Sequence, residues 1–421
     1  MKTELMNQIV NDYGTPLYLY DGDFIVSQYQ SLKRVFPENF EIFYSIKTNP
    51  LLGICQLFEQ LGSGCEVASS GELYIALNAG FTADKIIFSG PGKTEEELEY
   101  AIDNKIYTIN CESLKEAQLI HKIAAVKSKQ INISLRINPS FDVSNARVKM
   151  TGVPTQFGID QSQVSEVLKT LKTLPNINVM GFQVYSGTQI LDANSIVSNA
   201  QEIIKMALEF QEQHNLKLQF LDLGGGFGIP YFPEEKPLHL DELQQGISRV
   251  WEKYREHLLG TRIIIESGRF LTTESGLYLT KVLYKKSCKG NNYLICDGGS
   301  HHHANSAFLG RFVRNNFPMY VLGKTDDLEE TNIAGPLCTP TDILSQKVLL
   351  PKAEPGDVIV IEKSGSYGLT NSPSLFLSHF MPAELFYYQG EVKVIRERGE
   401  KEDFLAKQKS LFKSLSYEER S

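Results

Sequence analysis

Apolar positions along the chain alternate between two rhythms. Short apolar runs end in a polar turn, and each turn leads into a stretch where apolar residues recur every three or four positions. The runs are FEIFYSI (40–46), CEVA (65–68), KIIFS (85–89), IYTIN (106–110), NISLRIN (132–138), VMGFQVY (179–185), LQFLDL (218–223) and RIIIE (262–266). Compact runs rich in β-branched and aromatic residues predict strands. The stretches LLGICQLFEQLG, SGELYIALNAG, EEELEYAIDN and SIVSNAQEIIKMALEFQEQH have helical spacing. Eight such alternations predict an α/β fold, a (β/α)8 barrel of the TIM type. A doubly wound sheet is the other arrangement this rhythm permits, but eight evenly spaced units favour closure.

Beyond residue 270 the helices drop out. GLYLTKVLYKK, NNYLICDGG, DILSQKVLLP and GDVIVIEK read as strands joined by turns. The expected division is a barrel over 22–270 and a β-rich C-terminal domain built from 271–421, with 1–21 joining it through the strand PLYLYD. FIVSQYQSLKRVF would be the helix that enters the barrel, and KEDFLAKQKSLFKSL from Lys401 a terminal amphipathic helix.

Composition narrows the function. The chain has 421 residues, 42 Lys+Arg against 50 Asp+Glu, and a net charge of −8. That balance argues against sequence-independent nucleic-acid binding and against docking on anionic lipid. MKTELMNQIVNDYG lacks the apolar centre of a signal peptide, and no apolar run has spanning length, so a cytoplasmic location is expected. The six cysteines include no CxxC pair and are expected to be reduced and mostly buried.

Chemistry in such barrels gathers at the C-terminal strand ends. Those positions hold Lys47, Glu66, Ser89, Arg136, Tyr185 to Gln189, Gly224-Gly225-Gly226 and Glu266-Ser267-Gly268-Arg269. LDLGGGFGIPY lets backbone N–H groups approach an anion closely, although three glycines also suit a flexible turn. The chain lacks the GK[ST] of a nucleotide P-loop and any early GxGxxG. A phosphate site with a lysine and no nucleotide motif points to pyridoxal 5'-phosphate, whose aldehyde condenses with an amine. In ESGRF, Glu266 suits the pyridine nitrogen and Arg269 the phosphate; a strand-end salt bridge between the two is the plainer alternative.

The motifs FYSIKTN, GCEVASSGEL, IIFSGPGK, GFQVYSGTQ, LDLGGGFG, ESGRF, GPLCTPTD and SGSYG, in this order, resemble the fold type III (alanine-racemase-like) pyridoxal-phosphate decarboxylases, the family of diaminopimelate, ornithine and arginine decarboxylases. The resemblance runs from TPLYLYD to about Phe380. It implies a barrel with a β-domain and a homodimer with shared active sites. By the same resemblance, Lys47 is the Schiff-base lysine. Gly224, Gly225, Gly226, Arg269 and Tyr367 hold the phosphate, Glu266 faces the ring nitrogen, and Glu66 and Arg136 line the cofactor. Cys338, from the neighbouring subunit, returns a proton to the substrate carbon. A free cysteine is also commonly a buried apolar thiol.

Two positions depart from the family pattern. Tyr185 stands where a ring-stacking histidine is usual, with Thr188 in place of a phosphate-binding serine. Thr339 follows Cys338 where decarboxylases of basic amino acids carry an acid, so a distal ammonium group would lack a charge-assisted partner. Both departures, with LYDGDFI, the HHH run and GPLCTP, are similar to the glutamyl-[acyl-carrier protein] decarboxylases of butirosin-type biosynthesis. That resemblance implies a γ-glutamyl thioester as substrate and an acyl carrier protein as partner, docking on a basic patch such as LYKKSCKG (283–290) or GRFVRNNF (310–317). Diaminopimelate decarboxylase is the enzymatic alternative; an amino-acid racemase or a non-catalytic regulator of the same fold are more distant ones. His301 with its two neighbours is expected to line the site and not to bind metal, because successive strand residues face opposite ways. Arg311 or Arg314 would hold a substrate carboxylate.

Overall fold

The computed structural model describes residues 2–141, 154–307 and 315–411, with only the backbone of 148–149 in the first gap. Eight parallel strands close on themselves: β1 (Phe40–Ser45), β2 (Gly64–Val67), β3 (Ile86–Phe88), β4 (Thr108–Cys111), β5 (Ile131–Asn138), β6 (Ile177–Gln183), β7 (Phe220–Asp222) and β8 (Arg262–Ser267). β1 pairs with β8, and β4 with β5, so the barrel has no open edge. All eight predicted strands are present within two or three residues of their expected bounds.

Many of the helices start from a side-chain cap. Asp21, Ser69, Thr94, Ser113, Asp160 and Asp192 each accept a backbone N–H in the first turn of the helix that follows. Each cap satisfies a donor that the helix start leaves free.

Parity along the strands decides what fills the barrel. Phe43, Ile87, Met180, Phe220 and Ile264 form an apolar plug inside it. Two residues further along each strand, or three on β6, the inward position turns polar: Ser45, Ser89, Gln183, Asp222 and Glu266, all buried. The polar layer faces the C-terminal strand ends, where the loops converge.

The second sheet has nine strands. Its long strand Gly276–Cys288 pairs antiparallel with Leu17–Asp21, Asn291–Cys296 and Val358–Ile361. Leu17–Asp21 also pairs parallel with Ala383–Tyr388, so the N-terminal strand joins this sheet as expected. The tail differs from the sequence reading: residues Lys401–Leu405 form a 3-10 turn closed by reciprocal Glu400 and Asp403 caps. Lys407 then takes a left-handed φ of 61°, which ends helical propagation; the expected continuation from 412 lies outside the described residues. The helix Thr3–Tyr13 was not anticipated. No described helix is long and apolar enough to cross a membrane.

Candidate active site

Lys47 sits in the 3-10 turn Ile46–Thr48 directly after β1. Its ammonium donates to both oxygens of Glu66, at 2.8 and 2.7 Å. Glu66 is 2% exposed, while the Lys47 side chain keeps 37% exposure toward the barrel mouth. Burial alone would weaken the ammonium, but Glu66 and then Glu266 outweigh it and hold Lys47 above its ordinary pKa. For Glu66, burial opposes ionisation, and the Lys47 charge overcomes it and keeps the carboxyl below its ordinary range.

A cavity around Lys47 is lined by Ser45, Thr48, Tyr185, Thr188, Gly226, Phe227, Glu266, Ser267, Gly268, Arg269 and Tyr367. The Tyr185 ring centroid lies 5.7 Å from Lys47 Nζ. The Arg269 guanidinium stacks 4.7 Å from the Tyr367 ring and donates to the Tyr231 hydroxyl at 2.7 Å. The SGSYG loop lies over the lysine turn: Tyr367 N–H donates to the Thr48 carbonyl at 2.8 Å, and Asn49 Nδ2 to the Gly365 carbonyl at 3.1 Å. A larger hollow of about 350 Å³, lined by Ile102, Ile106 and Ile131, opens at the opposite strand ends and holds none of these groups.

The glycine triplet is required sterically. A Cβ on Gly224 would strike the Val184 carbonyl, one on Gly225 the Glu266 carbonyl, and one on Gly226 the Gly187 carbonyl. Gly224 and Gly226 also take positive φ, 67° and 94°. Glu266 lies 1% exposed with Gln183 Nε2 donating to it at 3.2 Å. Burial, then the Glu66 charge, push its carboxyl up to about 7.

The other expected residues are placed differently. Arg136 is buried on β5 and donates to Glu112 at 2.7 Å; it acts on Glu66 and Glu266 only through its charge. Cys338 is exposed and Thr339 bonds Thr341 at 3.0 Å; neither lines the cavity within one chain. His301 is fully buried, with its ring 3.7 Å from His302 and 4.8 Å from His379, and it does not line the cavity either. Arg311 and Arg314 lie outside the described residues. Among the described residues no group of three His, Cys, Asp or Glu is arranged to hold a metal ion.

The sequence pattern assigned no role to Thr48, Ser267, Tyr231 or Glu112. Thr48 Oγ1, Ser267 Oγ and Arg269 Nε are buried around the cavity with no hydrogen-bond partner. Unsatisfied buried polar atoms are costly, and two hydroxyls plus a guanidinium N–H beside a glycine turn suit an oxyanion. A phosphate fits there, with an amine at Lys47 and a carboxyl at Glu266 across the same cavity.

The profile described as "Pyridoxal-dependent decarboxylase, pyridoxal binding domain" matches residues 23–273. The chain belongs to this family. It is a pyridoxal-phosphate-dependent carboxy-lyase. It is 40% identical over 402 residues to the L-glutamyl-[BtrI acyl-carrier protein] decarboxylase of Niallia circulans, covering 94% of each chain. The diaminopimelate decarboxylase of Helicobacter pylori, complexed with L-lysine, superposes with a TM-score of 0.86 at 31% identity, over 95% of this chain and 98% of that one. The enzyme of M. jannaschii gives 0.89 at 27% identity, over 96% and 94%.

Proposed function

We propose that this decarboxylase removes the α-carboxylate of a γ-glutamyl group held as a thioester on an acyl carrier protein. The observation that carries the reading is the residue after Cys338. Thr339 offers a neutral hydroxyl already shared with Thr341, and the acid further along that loop, Asp342, is 2% exposed and accepts N–H bonds from Ser300 and Leu337. A distal ammonium group would find no free carboxylate there, whereas a thioester-linked chain needs none. The Niallia circulans relative, whose printed name specifies a glutamyl carrier-protein substrate, supports the same choice.

Each residue has a task in this reading. When bound, pyridoxal phosphate supplies an aldehyde that captures an amine and a ring that accepts the electrons left by carbon dioxide. Lys47 holds the aldehyde end, and Glu66 fixes the lysine's position. Gly224, Gly225, Gly226, Thr188, Arg269 and Tyr367 grip the phosphate, joined by the unpartnered Thr48 and Ser267 hydroxyls. Tyr185 covers one ring face without adding charge. Glu266 faces the ring nitrogen as an anion, and Arg136 balances the acids from the far side. In a homodimer, Cys338 of one subunit delivers a proton to the substrate carbon in the other, with Thr339 beside the substrate tail. Within this reading Arg311 and Arg314 are the cations proposed for the substrate carboxylate. Of the two basic runs proposed for carrier docking, the first has Lys285 tied to Glu329 and Glu354.

The test is carbon dioxide release from a panel: free glutamate, diaminopimelate, ornithine, and glutamyl thioester on a carrier protein. Release from the thioester alone is expected. Release from diaminopimelate with none from the thioester would refute the reading and favour the lysine-forming activity of the superposed structures.

A further inference from the structure

Beneath the cavity lies a second acid with no cation bonded to it. Asp222 ends β7 with no exposed surface. Its Oδ1 accepts the Gly224 N–H at 2.8 Å, while Oδ2 is buried without a donor. Glu266, on the adjacent strand β8, is buried in the same polar layer, and its charge is the strongest influence on Asp222 after burial. An ionised carboxyl only accepts hydrogen bonds, so two acids side by side in a dry layer are better accommodated with a proton on one of them.

We propose that Asp222 is a positioning residue that keeps a proton, donates it to Glu266, and thereby holds Glu266 as an anion toward the ring nitrogen of the cofactor. The proposal rests on the reading that Glu266 faces that nitrogen. The surroundings decide which acid keeps the proton. Glu266 faces Lys47 after β1, Glu66 on β2, Arg136 on β5, Tyr185 after β6 and Asp222 on β7. Two cations and the Gln183 amide therefore favour its ionised form. Asp222 faces Glu266 and Glu66 and is helped only by the Gly224 N–H. Burial, then the Glu266 charge, push Asp222 well above the carboxylate range, whereas Glu266 rises to about 7. Asp222 also starts the glycine turn, so one side chain ties the phosphate cradle to the nitrogen partner.

The test uses wild type, Asp222→Asn and Asp222→Leu. In cofactor-free wild type at pH 8, infrared spectra should show a protonated carboxyl band that moves on 13C-labelling of aspartate and vanishes in Asp222→Asn. Absence of that band, or its persistence in Asp222→Asn, overturns the proposal. In the holoenzyme, Asp222→Leu removes the donor, so Glu266 binds its proton more tightly. The acid limb of kcat/KM and of cofactor retention should move up by about one pH unit, and Asn should restore it. A limb that stays, or moves down as it would on removing a like charge, overturns the proposal. If Leu fails to fold, the labelled Asn comparison still decides. Glu266→Gln with unchanged cofactor affinity and spectrum would instead remove Glu266 from the ring nitrogen. That result overturns the cofactor half of the proposal while the labelled band still reports the shared proton.

Discussion

Glu266 shows at the scale of one residue how a site can oppose stability. Its carboxyl rises from an ordinary 4.5 to about 7, chiefly through burial. Between those values the folded protein binds more protons than the unfolded chain, so stability falls as pH rises through that window. In cofactor-free protein, Glu266→Gln should therefore raise the melting temperature at pH 8, by the equivalent of about 1–3 kcal/mol, and change little at pH 5. Equal shifts at both pH values would contradict this. Thr339 carries the substrate prediction. Thr339→Asp should weaken turnover of the neutral-tailed substrate and improve kcat/KM for diaminopimelate or ornithine by about tenfold or more, measured side by side. Lys47, Glu266 and Arg269 stood out in the sequence because each is a charge in a motif at a strand end. Thr48, Ser267 and Asp222 did not, since short polar side chains are common in turns. Only closure of the barrel buries the Thr48 and Ser267 hydroxyls and one oxygen of Asp222 without partners.

Elements were the most legible level. Each barrel strand is a compact apolar run, several lead into a capped helix, and Thr94 with Glu97 forms a reciprocal cap that a sequence pattern announces. The C-terminal sheet was less readable. Met319–Val321 is short, and Glu391–Arg396 is half exposed, with polar residues alternating weakly. Met319–Val321 owes its strand form to pairing with the distant Val358–Ile361, and Glu391–Arg396 to the hairpin it makes with Ala383–Tyr388. The tail failed for a related reason, because its described residues bury no side chain and only Phe404 stacks on the sheet domain, against Phe380. The glycine turn between β7 and its following helix is a sharper case. Gly225→Ala would press a methyl group into the Glu266 carbonyl. It should weaken cofactor binding at least tenfold, through about 1–3 kcal/mol of displaced backbone, as read by fluorescence titration. Unchanged affinity would remove the turn from the phosphate site.

At the scale of the whole molecule, the exposed Cys338 lies in a loop of the second sheet and the half-buried Lys47 in the turn after β1, and one chain does not bring Cys338 to the cavity. The proposed dimer with exchanged contributions would account for this. Mixing inactive Lys47→Ala and Cys338→Ala proteins under conditions that let subunits exchange should restore about a quarter of wild-type activity, since half the dimers gain one complete site. No recovery despite exchange would place each site within a single chain.

Every role assigned around the cavity requires Lys47 to be the residue that carries the cofactor. Borohydride reduction of the holoenzyme, followed by peptide mapping, should find the pyridoxyl group on the peptide containing FYSIKTNP, attached to Lys47, and nowhere in Lys47→Ala. A pyridoxyl group on another lysine, or equal labelling of the Lys47→Ala protein, would contradict it.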